Sequence, residues 1–361
     1  MACETAYSGR LLEPIAHLAL SAQGALHLFP IPEFGVQMIF SSKALQVWQR
    51  VAAGVMTLGA VTLIGACGGG TSQFDPFIAQ RVFAFGDDNS VITADGKNYG
   101  VNGVNATTLA IDCTLQPIWV QSVAAYYGFV FAECNTASPP DANPKAFMRA
   151  GVGAKVADVA AQVNLQITSG GFKDKDLALV AAGANDIYEL YAQYPARSEA
   201  SLIAEARVRG ENLAAVVNQL VDNGAKVIVT NLHDVGLSPY ARAEAAANAG
   251  SGFDRAALMT RLTTAFNERL GVKVLLDGRF VGLAQMDLRT QAAGRAPGSV
   301  GLVDATTAFC SVAPPNCTTS TAVTASSAAA QYLWADDKRL APGGQVLLAS
   351  LALARAQGNP F

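Results

Sequence analysis

Histidine is scarce in this chain. The 361 residues contain three, and His17 and His27 precede the first strand-like segment. Only His233 is left downstream for general-base work or metal ligation. Charge is thin as well, at 15% of residues with a net charge of −3. No block of Lys and Arg occurs, which argues against a nucleic-acid partner. There is no Cys-x-x-Cys and no histidine near a cysteine pair, so no metal is expected. No cofactor is expected either.

Apolar residues are plentiful, at 51%, and part of that total is a leader. From Met38 the chain reads MIFSSKALQVWQR, with Lys43 and Arg50 positive. An apolar run over 51–66 follows, then Cys67 and three glycines. A charged start, an apolar stretch and small residues before a cleavage point describe a secretory signal over 38–66. Ile64-Gly65-Ala66-Cys67 resembles a bacterial lipobox, in which Cys67 becomes the acylated mature N-terminus. The run is short for a membrane span of about 20 residues. The expectation is an exported lipoprotein held to the bacterial envelope membrane through Cys67. Residues 1–37 have no role in that reading and are taken as an upstream extension from a misassigned start.

Cysteine usage agrees with export. Beyond Cys3 and Cys67 there are Cys113, Cys134, Cys310 and Cys317, an even set suited to an oxidising compartment. Three pairings exist. The sequence-local one, Cys113–Cys134 with Cys310–Cys317, is favoured.

Residues 67–80 are rich in Gly, Ser, Thr, Gln and Pro and read as a flexible tether. From Arg81 onward, apolar runs alternate with helical periodicity. Strands are expected at 81–85, 177–182, 226–231 and 273–276. Helices are expected at 118–127, 156–167, 198–223, 256–270 and 343–355. Continuous apolar strands between helices predict one α/β domain over 81–361 with a parallel sheet. The segments 93–116 and 291–330 read as inserted loops.

Sites in such sheets form at the carboxyl ends of the strands. Polar clusters follow two strands, as Gly86-Asp87-Asp88-Asn89-Ser90 and Gly183-Ala184-Asn185-Asp186. Gly151-Val152-Gly153 precedes a helix, and Asp336-Asp337-Lys338-Arg339 precedes the last one. Asn185-Asp186 could also serve as a helix N-cap.

This set, in this order, resembles the GDSL or SGNH hydrolase family across roughly 81–355. Gly183-Ala184-Asn185-Asp186-Ile187 is the most specific match. Pro117–Gln121, Thr230–Gly236 and the Cys310/Cys317 pair support it. The resemblance implies a single-domain, three-layer, flavodoxin-like fold. In active relatives a serine in the first block attacks an ester carbonyl. A histidine in the last block is the base, and an aspartate three residues earlier orients it. A glycine N–H and an asparagine side chain bind the oxyanion. On this chain Gly153 (with Gly151 as the second choice) and Asn185 match the oxyanion groups, and Asp336 matches the orienting acid. Asp88 stands at the nucleophile position and Arg339 at the base position.

That double change weighs against Ser-His chemistry, because a guanidinium cannot accept a proton at neutral pH. The resemblance then implies an envelope protein that binds a glycan, lipid or ester ligand. The alternative is an active ester hydrolase in which Asp88 or Ser90 attacks, or His233 serves as base. If the first reading holds, Arg339 should lie between the carboxylates of Asp88 and Asp336.

Overall fold

The computed structural model describes residues 76–135, 143–323 and 328–358. The extension over 1–37, the leader over 38–66, Cys67 and most of the tether lie outside them.

Five strands form one parallel sheet in the order β2-β1-β3-β4-β5. They are β1 (Arg81–Gly86), β2 (Ala146–Met148), β3 (Asp176–Ala181), β4 (Lys226–Thr230) and β5 (Val281–Ala284). Every residue of β3 is buried, as expected of a central strand covered on both faces. Alternation sorts the side chains. Phe83 and Phe85 enter one core with Val180 and Val229, while Val82 and Ala84 enter the other with Leu179 and Ile228.

Helices close both faces, giving three layers. On the Phe83 side lie α2 (Val156–Ser169), α3 (Ala184–Tyr191), α4 (Glu199–Asp222), α5 (Pro239–Ala247) and α6 (Arg255–Lys273). On the Val82 side lie α1 (Trp119–Tyr126), α7 (Met286–Arg295) and α8 (Pro342–Ala356). Side-chain caps set several starts. Ser198, Ser238 and Asp254 accept from the backbone N–H of Ser201, Ala241 and Ala257, which satisfies donors that a helix leaves open.

Two expectations need correction. The fourth strand is not at 273–276. Residue 273 ends α6, Leu275 and Leu276 are exposed, and the pairing with β4 starts at Val281. Buried Val281 and Ala284 face the cores; the leucine pair has no facing strand. The segment 291–330 is also not one inserted loop. It contains the end of α7 and β6 (Asp304–Ala308), which pairs in parallel with β7 (Tyr332–Trp334).

Both local disulfides are formed, each with Cα atoms 5.8 Å apart. Cys310–Cys317 lies in a third, small core with Val101, Phe309, Ala335 and Ala341. This core ties the 93–116 segment to the last polar block. Asn102 strengthens the tie by donating to the Pro315 carbonyl at 2.9 Å.

Candidate active site

The sheet order reverses between β1 and β3, and a crevice at that switch point is where open α/β folds bind ligands. Parallel pairing puts Gly86 beside Ala181, so the turns after β1 and β3 leave the sheet side by side. Gly86 is required there. Its φ is +144°, and a Cβ would lie 2.1 Å from the Ala181 carbonyl oxygen. The chain then turns sharply. Asp87 accepts from the Asn89 N–H at 3.1 Å, and Asp88–Ser90 form a single 3₁₀ turn.

Asp88 is buried, at 5% exposure. A carboxylate in that position is costly unless its lone pairs are taken up. Three donors converge on it. The Gly153 N–H and Asn185 Nδ2 each donate to Oδ2 at 2.9 Å. Arg339 Nε donates to Oδ1 at 3.0 Å. The Gly151 N–H instead donates to the Gly86 carbonyl at 3.0 Å. The φ of Gly153 is +71°, a region that disfavours other residues.

Arg339 bridges two acids. Its Nη1 donates to Asp336 Oδ2 at 2.6 Å, and Asp336 Oδ1 also accepts the Arg339 and Lys338 backbone N–H groups. The expected placement of Arg339 between Asp88 and Asp336 is therefore what the fold contains. Burial opposes the guanidinium charge, but Asp336 and Asp88 outweigh it and raise the pKa of Arg339 above its ordinary value. Tyr99, from the 93–116 segment, lays its ring 5.5 Å from the guanidinium carbon, a cation–π contact that covers the pair. Nothing in a Gly- and Asn-rich stretch marks Tyr99 for that place.

The first and last blocks are sewn together behind this pair. Asn89 Oδ1 accepts the Leu340 N–H at 3.1 Å, and Gln345 donates to the Asn89 carbonyl at 3.2 Å. Gln162 clasps Gly86 from α2, accepting its N–H at 3.0 Å and donating to its carbonyl at 3.1 Å. Asp87 stays fully inside. Burial, and then the Asp88 charge beside it, push its carboxyl up to about 8.

Other expected residues lie elsewhere. Ser90 is fully buried and accepts from Trp119 Nε1 at 3.0 Å, which turns its oxygen toward α1. His233 packs edge-on against Trp334, with ring centroids 5.6 Å apart. Its Nε2 has no hydrogen-bond partner among the described residues, and burial pulls its pKa down to about 4. No hydrogen bond joins it to Asp88 or Ser90. Asn185 and Asp186 do not cap α3, whose N-cap is Gly183. Asp186 instead accepts the Val156 N–H at 3.0 Å, at the start of α2, and binds Arg209.

In chemical terms a backbone N–H, an amide and a cation surround a carboxylate of the chain itself, and the Gly153 N–H and Asn185 amide are already engaged by Asp88 Oδ2.

Several solved structures are similar to this chain. A lipolytic protein of the G-D-S-L family from Veillonella parvula DSM 2008 is 10% identical, with a TM-score of 0.38 over 76% of this chain and 97% of that one. The lipase Lip_vut3 from a goat rumen metagenome is 12% identical, with a TM-score of 0.42 over 78% and 99%. The acetyl xylan esterase AlAXEase is 12% identical, with a TM-score of 0.40 over 76% and 98%. No curated protein matches the chain. The sequence profile described as GDSL-like lipase/acylhydrolase matches residues 82–298, more than half of the chain, and the protein belongs to that family.

Proposed function

We propose that this protein is a GDSL-family member that has given up Ser-His ester hydrolysis and acts by binding at the bacterial envelope, held there through acylated Cys67. The observation that carries the reading is the Asp88 carboxylate seated on the Gly153 N–H and Asn185 amide with Arg339 on its other oxygen. A seryl nucleophile and an imidazole base are both replaced, and the replacements satisfy each other. A groove along α2–α4 that includes Lys155 and Asp186 mixes charged residues such as Glu189 and Arg209 with apolar ones such as Val156, Ala160 and Val216, so its lining does not choose between a glycan and a lipid ligand.

The test is hydrolysis of short-chain p-nitrophenyl esters by the mature protein. The native chain should release no nitrophenol beyond the buffer rate, whereas Asp88→Ser/Arg339→His should regain turnover. Native turnover that disappears with Ser90→Ala or His233→Ala would overturn the reading and restore a hydrolase with an unconventional nucleophile or base.

A further inference from the structure

We infer that the end of the domain opposite the candidate site is a membrane-facing surface, which rests on the anchoring of Cys67 proposed above. Parallel pairing puts the amino ends of all the central strands on one edge, since Arg81 is level with Asp176, Leu177 with Lys226 and Val227 with Val281. The site occupies the other edge.

That amino-end edge is unusually apolar for a water-facing surface. Ile78 is 67% exposed, Leu275 65%, Leu276 52% and Val272 71%. They belong to one region. Lys226 Nζ stands 5.1 Å from the Phe77 ring and 5.5 Å from the Phe280 ring, which joins the 76–80 segment to the 274–280 turn. Phe77 in turn meets Tyr127 edge-on at 6.2 Å, and Tyr126 beside it is exposed. Contiguous apolar side chains on a surface mark an interaction site.

Charge selects the partner. Lys145, Lys173, Lys175 and Lys226 lie just before or at the starts of β2, β3 and β4, with one acid, Asp174, between Lys173 and Lys175. Asp176 at that edge is neutralised by Arg81, and Asp277 by Arg279. The opposite edge carries more acids, although Arg339 and Arg209 pair with Asp88, Asp336 and Asp186 there. Apolar side chains set among cations suit the interface of an anionic lipid bilayer. Among the described residues no helix is long and apolar enough to cross a membrane, so the contact is peripheral.

Covalent reach points the same way. The described chain enters the domain at residue 76, on this edge, and Cys67 lies about nine residues earlier. Such a segment spans at most roughly 30 Å even when fully extended. An acyl chain on Cys67 therefore keeps this end near the headgroups, and the patch fixes which end faces them. The site then opens away from the bilayer.

The experiment uses the mature, acylated protein in vesicles of phosphatidylethanolamine and phosphatidylglycerol. A fluorophore is placed on Leu276→Cys or, at the site end, on exposed Val152→Cys, and quenched by spin-labelled lipid. Quenching at 276 should exceed that at 152 by about threefold or more, as expected for side chains buried a few ångströms into the interface. Lys173→Glu/Lys175→Glu should lower the quenching at 276 while the protein remains sedimented with the vesicles. Equal quenching at both positions in an anchored protein overturns the docking alone. Mature protein whose intact mass shows no acyl group on Cys67, yet which sediments with the vesicles, overturns the anchoring as well.

Discussion

Asp88 and His233 are each 5% exposed, and each follows a strand of the same sheet, yet the fold treats them in opposite ways. Asp88 is met by three donors, one of them a guanidinium. His233 is met by the Trp334 ring and leaves Nε2 without a partner. Burial penalises the charged form of either group. Asp88 answers with hydrogen bonds and a counter-charge, His233 by staying neutral. Burial beside a sheet end therefore does not by itself make a reactive group. The partners decide, and at Asp88 they supply two donors to Oδ2 and a guanidinium to Oδ1.

Removing the partner should break that contrast most strongly. Arg339→Leu leaves Asp88 and Asp336 without their shared cation, and loss of one member of a buried pair costs about 3–5 kcal/mol. Arg339 keeps a quarter of its side chain in solvent, so the lower end of that range is expected in urea unfolding at pH 7. Asp88→Asn should cost less, about 1–3 kcal/mol, because the amide oxygen can still accept from Gly153 or Asn185. The double variant Asp88→Asn/Arg339→Leu should be more stable than the two single losses summed, and strict additivity in the cycle would show that the two groups do not interact.

Acid titration sharpens the comparison. Asp87, raised to about 8 from an ordinary value of 3.8, binds its proton more tightly folded than unfolded. Its contribution is fully present below about pH 3.8 and is lost as pH rises toward 8. Asp87→Asn should therefore gain stability relative to the native chain between pH 5 and 8, by up to about 1.4 kcal/mol per pH unit. Parallel stability curves for the two proteins would sink this assignment. His233 has the reverse sign. Lowered to about 4 from 6.5, it is protonated in the unfolded chain first, so stability falls as pH drops from about 6.5 to 4. His233→Phe keeps an aromatic contact with Trp334 and should flatten that limb of the curve. A limb of unchanged slope would mean that other groups govern it.

Much of the architecture is legible along the chain because it depends on neighbours. Strand β1 stands out as an apolar run stopped by Gly86, and α4 ends before Gly224, as helical periodicity and a C-terminal glycine suggest. β5 is not legible. Leu275-Leu276 is more apolar than Val281-Gly282-Leu283-Ala284, and only the pairing with β4 shows which segment completes the sheet. The site divides in the same manner. Local motifs mark Asp88, Gly153, Asn185, Asp336 and Arg339 as a set. Nothing local marks Tyr99 or Gln162, which act through contacts made far along the chain.

The sequence by itself determined the alternation of strands and helices and the order of the polar blocks. It also placed an acid, Asp88, and a guanidinium, Arg339, in the blocks where the family resemblance implies a hydroxyl and an imidazole. Those are matters of covalent order, periodicity and side-chain chemistry. Tertiary structure alone decided that Tyr99 lays its ring beside the Arg339 guanidinium, that Asp186 holds the start of α2 rather than its own helix, and that His233 is sealed behind Trp334. Each of these depends on which surfaces meet and which charges are desolvated together, and burial and counter-charge arise only when distant segments pack.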